Sequence, residues 1–142
     1  MEHRLEPVGT FDGVTFINDS ISTIPQAAIS ACQALGRVDF LFLGGFDRGI
    51  DYQPLADFLK DFPVPHLLFT GKAGERMMGL MGGVSNHFYY SSMEEAFNYL
   101  KAHAKTGDVC LLSPAASSYD QYKNFEERGA KFKALAKAFA RK

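Results

Sequence analysis

Apolar and polar positions alternate in blocks along this chain, and the length of each block separates strands from helices. Two short runs, Leu5–Val8 and Val14–Ile17, flank Asp12-Gly13, a dipeptide suited to the tight turn of a β-hairpin. Four later runs, Phe40–Leu43, His66–Thr70, His87–Tyr90 and Val109–Leu112, are too short for helices. The first of them is continuously apolar, as strands covered on both faces are. Between these runs the period becomes helical. Ala28, Ala31, Cys32 and Leu35 form one face of a segment with Thr23 as its expected N-cap, Pro25 in its first turn and Gly36 at its end. Leu55, Phe58 and Leu59 predict a short helix before Pro63, and a Met-rich helix is expected over about Lys72–Met81. Ser92 and Glu95 form a capping box ahead of Met93, Ala96, Phe97, Leu100 and Ala104, and Phe132, Leu135, Ala136 and Phe139 predict the final helix.

Strands alternating with helices predict an α/β fold. The expected architecture is a Rossmann-like, mostly parallel sheet of about six strands, with helices on both faces and one antiparallel edge strand from the opening hairpin. The 142 residues suit a single domain, and a hydrophobic content of 46% supports a packed core. Fifteen basic and sixteen acidic residues give a net charge of -1, which argues against a general nucleic-acid footprint. Cys32 and Cys110 sit in apolar surroundings and read as reduced core residues. No run approaches the roughly 18 apolar residues of a membrane span, and no signal-peptide pattern opens the chain. A cytoplasmic protein without a membrane partner is expected. Asn18-Asp19-Ser20 matches a glycosylation sequon and is read as accidental in that setting.

Three polar segments follow predicted strands, where open α/β sheets place ligands. Asn18–Pro25 leads into a helix N-terminus, and its free amides with Ser20, Ser22 and Thr23 could hold a phosphate or carboxylate; helix capping by Thr23 is the plainer reading. Gly44–Gly49 offers glycines for close backbone approach and Arg48 for a bidentate carboxylate or phosphate contact, or is simply a turn with a solvated arginine. Ser113–Gly129 is rich in small and hydroxyl residues. Three such segments converging on one sheet edge favour a binding site. No Gly-Lys-Ser/Thr ending of a phosphate loop occurs. The four histidines lack metal-ligand spacing, and a Ser117, His66, Asp108 triad has no nucleophile elbow behind it. The C-terminal lysines read as a solvated helix face.

His3-Arg4-Leu5-Glu6, Asn18-Asp19-Ser20, Gly44-Gly45 and the segment from Ser113 to Gly129 resemble, in order and spacing, the C-terminal domain of Mur ligases. The resemblance covers nearly the whole chain. Its most specific part is Ser113-Pro-Ala-Ala-Ser-Ser-Tyr-Asp-Gln-Tyr-Lys-Asn-Phe-Glu-Glu-Arg-Gly129. The Asp-Asn-Pro-Arg signature of the diaminopimelate-adding branch is absent, which favours the branch that adds D-glutamate to UDP-N-acetylmuramoyl-L-alanine. Two departures stand out: Ile21 replaces a familiar lysine, and Arg48 stands where a lysine is common.

The resemblance implies an ATP-dependent amide-bond-forming ligase of three domains, of which residues 1–142 correspond to the last. The UDP-binding domain and the central domain with the phosphate loop and Mg2+ ligands would lie elsewhere. ATP would phosphorylate the carboxylate of the UDP-muramoyl substrate, and the amine of glutamate would displace phosphate. By the same resemblance Thr23, Arg48, Ser118, Tyr119 and Phe125 would contact glutamate, while Arg4, Asp19 and Ser20 would approach the nucleotide. No catalytic residue or metal ligand is expected in this chain, ATP and Mg2+ would be held mainly by the central domain, and a monomer is expected. The alternatives are a stand-alone anion-binding module and the corresponding domain of a related ligase, including the folylpolyglutamate synthase type.

Overall fold

The computed structural model describes residues 1–82 and 86–139. Pairing of β1 (Glu6–Phe11) with β2 (Val14–Asn18) is antiparallel across the Asp12-Gly13 turn, and Asp12 takes φ 50 and Gly13 φ 82 there. The remaining strands are β3 (Phe40–Gly44), β4 (His66–Thr70), β5 (His87–Tyr89) and β6 (Val109–Leu112). The sheet order is β1-β2-β6-β3-β4-β5, with every pair other than the hairpin parallel. The expected α/β sheet with one antiparallel edge is the observed one.

Strand alternation sorts the core into two layers. Leu41 and Leu43 of β3, Leu67 and Phe69 of β4 and Leu111 of β6 point to one face. There they pack under α1 (Pro25–Leu35), α2 (Gln53–Asp61) and α3 (Gly71–Gly79). Phe40, Phe42, Leu68, Cys110 and Leu112 point the other way, under α4 (Met93–His103) and α5 (Phe125–Lys137). The second layer is aromatic: Phe16 stacks on Phe97 at 6.0 Å and meets Phe139 edge-on at 5.2 Å. Both cysteines are buried and free. Burial pushes the Cys32 thiol up to about 12, as expected of a core residue rather than a reactive one.

Three local expectations are corrected. Thr23 is not the cap of α1; Ile24 is, in an extended conformation (φ -133, ψ 155) and with no side-chain cap bond. Pro25 explains this, because its ring forces the preceding residue out of helical geometry. Helix α3 stops at Gly79 instead of running to Met81, with the Leu80 amide tightening onto the Met77 carbonyl. At α4 the Ser92 hydroxyl accepts from the Glu95 amide as a cap should, but the Glu95 carboxylate reaches one residue further back, to the Ser91 amide and hydroxyl.

Candidate functional site

Because β2, β6 and β3 are adjacent and parallel, their carboxyl ends deliver the three polar segments to one edge of the sheet. Backbone bonds then zip the segments together. The Ala115 amide donates to the Ser22 carbonyl at 3.0 Å, the Gly44 amide to the Pro114 carbonyl at 2.9 Å, and the Phe46 amide to the Ser117 carbonyl at 2.9 Å. Gly44 and Gly45 permit this approach: a Cβ at Gly44 would stand 2.0 Å from the Thr70 carbonyl oxygen, and one at Gly45 2.3 Å from that of Ser117. Ala115 is held at φ 57, a strained value for a residue with a Cβ. Its amide bond to Ser22 and a 2.9 Å bond from the Tyr52 hydroxyl to its carbonyl fix it there.

Side chains lock the same edge from beneath. The Asp19 carboxylate accepts from the Leu5 amide (2.9 Å), the Ser113 hydroxyl (2.8 Å) and the Ser22 hydroxyl. Arg128, on α5, is only 3% exposed. Its guanidinium donates to the Ser20 hydroxyl (3.0 Å), the Ser20 carbonyl (2.7 Å) and the Ala116 carbonyl (2.9 Å), so one residue ties the first polar segment to the third. Burial brings its pKa down to about 10, against the opposing pull of Asp120 and Tyr122. The Ser20 hydroxyl in turn donates to the Phe125 carbonyl at 2.6 Å. Asn124 caps α5 by accepting from the Glu127 amide at 2.8 Å. Gly129 leaves room for the buried His3 ring, whose Nδ1 accepts from the Asn18 amide nitrogen at 2.9 Å. Asn124, Arg128 and Gly129 therefore have separate structural reasons for their places in the motif.

The residues expected to bind ligand fall into two groups. Thr23 is half-buried, Arg48 is exposed, and neither side chain has a hydrogen-bond or ion-pair partner among the described residues. Ser118 is 2% exposed, and its hydroxyl also lacks a partner among them. Tyr119 is 67% exposed, and its amide makes only a long 3.4 Å contact with the Ser117 hydroxyl. Phe125 is half-buried and meets the His3 ring edge-on at 5.9 Å. Arg4 lines a cleft of about 360 Å³ together with Asp19, Ile21, Ser22 and the small residues of α1. Arg4 is exposed there, whereas Asp19 and Ser20 are buried and spent on internal bonds. Ser117 lies at the carboxyl edge while His66 and Asp108 lie at the opposite ends of their strands, which removes the paper triad. No group of His, Cys, Asp or Glu among the described residues is arranged to hold a metal.

Two contributors were given no role by sequence reasoning: Arg128, which stands inside the quoted motif, and Tyr52. Arg128 could have been flagged, since it lies four residues before Phe132 and eight before Ala136, on the buried stripe of α5. Tyr52 lies three residues past Gly49, but its partner Ala115 is 63 positions away, so only folding joins the two.

A mostly parallel sheet whose adjacent strand ends carry hydroxyl and guanidinium groups without partners among the described residues defines an α/β domain with a candidate site for a small anion. Its sequence matches the family described as Mur ligase, glutamate ligase domain over residues 3–116. The chain is 39% identical over 141 residues to the UDP-N-acetylmuramoylalanine–D-glutamate ligase of Desulfitobacterium hafniense (strain Y51), covering 96% of this chain and 30% of that protein. It is 40% identical over 134 residues to the enzyme of the same name from Salinibacter ruber, covering 94% and 29%. Among solved structures, a domain from a putative UDP-N-acetylmuramate:L-alanyl-gamma-D-glutamyl-meso-diaminopimelate ligase of Haemophilus ducreyi superposes with a TM-score of 0.67 at 17% identity. That match covers 96% of this chain and 100% of that one. The folylpolyglutamate synthase/dihydrofolate synthase of Yersinia pestis gives 0.66 at 17%, over 95% and 31%. The chain belongs to the Mur ligase C-terminal, glutamate ligase domain family. It spans about 30% of the length of the curated relatives it matches.

Proposed function

We propose that this chain is the amino-acid-binding domain of an ATP-dependent ligase that joins D-glutamate to UDP-N-acetylmuramoyl-L-alanine in cytoplasmic peptidoglycan synthesis. The observation that carries the reading is the presence, on two loops zipped to each other, of a buried Ser118 hydroxyl and an Arg48 side chain that both lack partners among the described residues. A buried hydroxyl left without a bond costs about 1–3 kcal/mol, so Ser118 favours an incoming acceptor. In this reading Arg48 pairs with one glutamate carboxylate, Ser118 and the Tyr119 amide receive the other, and Thr23 and Phe125 border the site. Each charge-assisted bond contributes about 1.5–3 kcal/mol, so a few of them support only weak binding of free glutamate once its ordering cost is met.

In the whole ligase ATP with Mg2+ supplies the phosphoryl group that activates the acceptor's carboxylate. The residues here fit that partner in part: Arg4 is an exposed cation lining the cleft beside buried Asp19, while Ser20 does not line it and is spent on bonds to Phe125 and Arg128. The sequence contains no Gly-Lys-Ser/Thr phosphate loop, so we expect no ATP-dependent ligation from these 142 residues alone. The reading is tested by titrating D-glutamate into the isotopically labelled chain and following amide shifts. Saturable binding that weakens about tenfold or more in Ser118→Ala is expected; an unchanged affinity removes Ser118 from the site.

A further inference from the structure

The loop leaving β3 is tied down unevenly. Its first half is held by backbone bonds from Gly44 and Phe46 to the Ser113–Ser118 segment. Its second half carries Arg48 and is reached by an arginine side chain from another element. Arg76 of α3 donates from Nε to Asp47 Oδ2 at 2.8 Å and from Nη2 to Asp47 Oδ1 at 2.7 Å, a bidentate fork. The same Nη2 donates to the Ile50 carbonyl at 2.8 Å, and the guanidinium lies 5.0 Å above the centre of the Tyr52 ring. Asp47 passes the restraint on, because its Oδ1 also accepts from the Gly49 amide at 2.9 Å. These contacts therefore fall at 47, 49, 50 and 52, on both sides of Arg48, whose own side chain has no bond among the described residues.

This is more than an ordinary surface ion pair. Such pairs contribute little when two flexible side chains meet in water, but a bidentate arginine stacked on a buried ring, with a backbone carbonyl as third acceptor, loses less freedom per bond formed. Tyr52 is fully buried, and its hydroxyl bonds to Ala115 in the segment leading to Ser118. The Arg76 contacts thus reference the Arg48 loop to the same platform that carries Ser118. The Arg76 charge is also neutralised by Asp47, so it does not compete with Arg48 for an anion.

We propose that Arg76 is a positioning residue: with Asp47 it latches residues 47–52 so that Arg48 is presented, already ordered, to the carboxylate of an amino-acid ligand. The latch removes loop ordering from the cost of binding. Its meaning rests on the assignment of Arg48 to ligand binding proposed above.

The test uses this chain, D-glutamate titrations followed by amide shifts, and thermal unfolding of every variant. Arg48→Ala first reports on the ligand assignment, with a loss of about tenfold or more expected. Arg76→Ala is expected to weaken binding about tenfold, with its melting midpoint lowered by only a few degrees, because the fork it removes is partly exposed and the core stays intact. Arg76→Lys keeps the charge without the fork and should recover only part of the loss. In the Arg48→Ala background Arg76→Ala should add nothing, because Arg76 acts through Arg48; a general structural role would add its full effect in both backgrounds. Wild-type affinity in Arg76→Ala, beside a weakened Arg48→Ala, overturns the latch and leaves the ligand assignment standing. Additive losses overturn it equally. Unchanged affinity in Arg48→Ala, or no binding of glutamate by the wild type, overturns the ligand assignment and the latch with it.

Discussion

Replacing Gly129 with alanine sets helix propensity against packing, and the structure says which wins. Gly129 lies inside α5, where alanine is ordinarily the better residue by about 0.8–1 kcal/mol. An added Cβ would stand 2.2 Å from Nδ1 and 2.6 Å from Cε1 of His3, and 3.0 Å from the side-chain nitrogen of Asn18. The His3 ring cannot simply swing aside. It is 5% exposed, it sits on a backbone held at φ 63, and its Nδ1 accepts from Asn18 at 2.9 Å. Displacing it gives up that buried bond, about 1 kcal/mol or more, and overpacks the site by about 1–3 kcal/mol. The net expectation is a loss of about 1–3 kcal/mol, or a melting point lower by about 3–10 °C for a chain of this size. Urea unfolding followed by circular dichroism measures it as a lower midpoint at unchanged slope. Gly79→Ala is the control, since nothing among the described residues lies within 4 Å of its would-be Cβ, and it should be neutral or stabilising. In a His3→Ala background Gly129→Ala should stop destabilising, as expected of two residues in contact. A Gly129→Ala protein as stable as the wild type would refute the packing argument.

Two further outcomes follow from the same geometry. Arg128→Ala removes three buried bonds and strands two carbonyls, so unfolding by urea should show a loss of about 3–5 kcal/mol; retained stability would mean that Arg128 does not tie the segments together. The Arg76 fork and the Gly49 amide hold Asp47 at about 2, below its usual 3.8, so the unfolded chain binds more protons between those values. The stability Asp47 contributes is present above about pH 4 and is lost as pH falls toward 2. The gap in urea midpoint between wild type and Asp47→Asn should narrow across that window, and a constant gap would show that the carboxylate is not held low.

Much of the fold was legible because it depends on periodicity. Phe40–Leu43 and Val109–Leu112 are uninterrupted apolar runs and became the central parallel strands; Asp12-Gly13 is a turn by its own backbone preference. The convergence of three polar segments could be inferred, since parallel strands must deliver their carboxyl ends to one edge. Thr23 misled because a hydroxyl before a proline has two readings, and the steric demand of Pro25 on Ile24 outweighed the capping preference of threonine. Asp19 and Ser20 looked like candidate ligand groups because sequence records a polar side chain but not how many of its bonds are already made. Arg76 and Tyr52 were invisible for a different reason: neither belongs to a local pattern, and their bonds to Asp47, Ile50 and Ala115 span 26 to 63 positions.

The count of bonds already made also sorts the polar residues of this edge by what they can do. The Asp19 carboxylate accepts three bonds, and the Ser20 hydroxyl donates one and accepts one; Arg128 spends three donors on the backbone and side chain of its neighbours. A ligand reaching these groups would have to displace existing bonds at about 0.5–1.5 kcal/mol net each, so their contribution is to fix the platform. Ser118, Thr23, Arg48 and Arg4 carry no such commitments among the described residues. They stand on a platform whose backbone is pinned at Gly44, Phe46 and Ala115. A site divided this way keeps its unspent donors in place before any ligand arrives, and binding then has to order few groups beyond the ligand itself. Preorganisation of that kind suits a domain that must hold a small, highly solvated amino acid with only a handful of contacts.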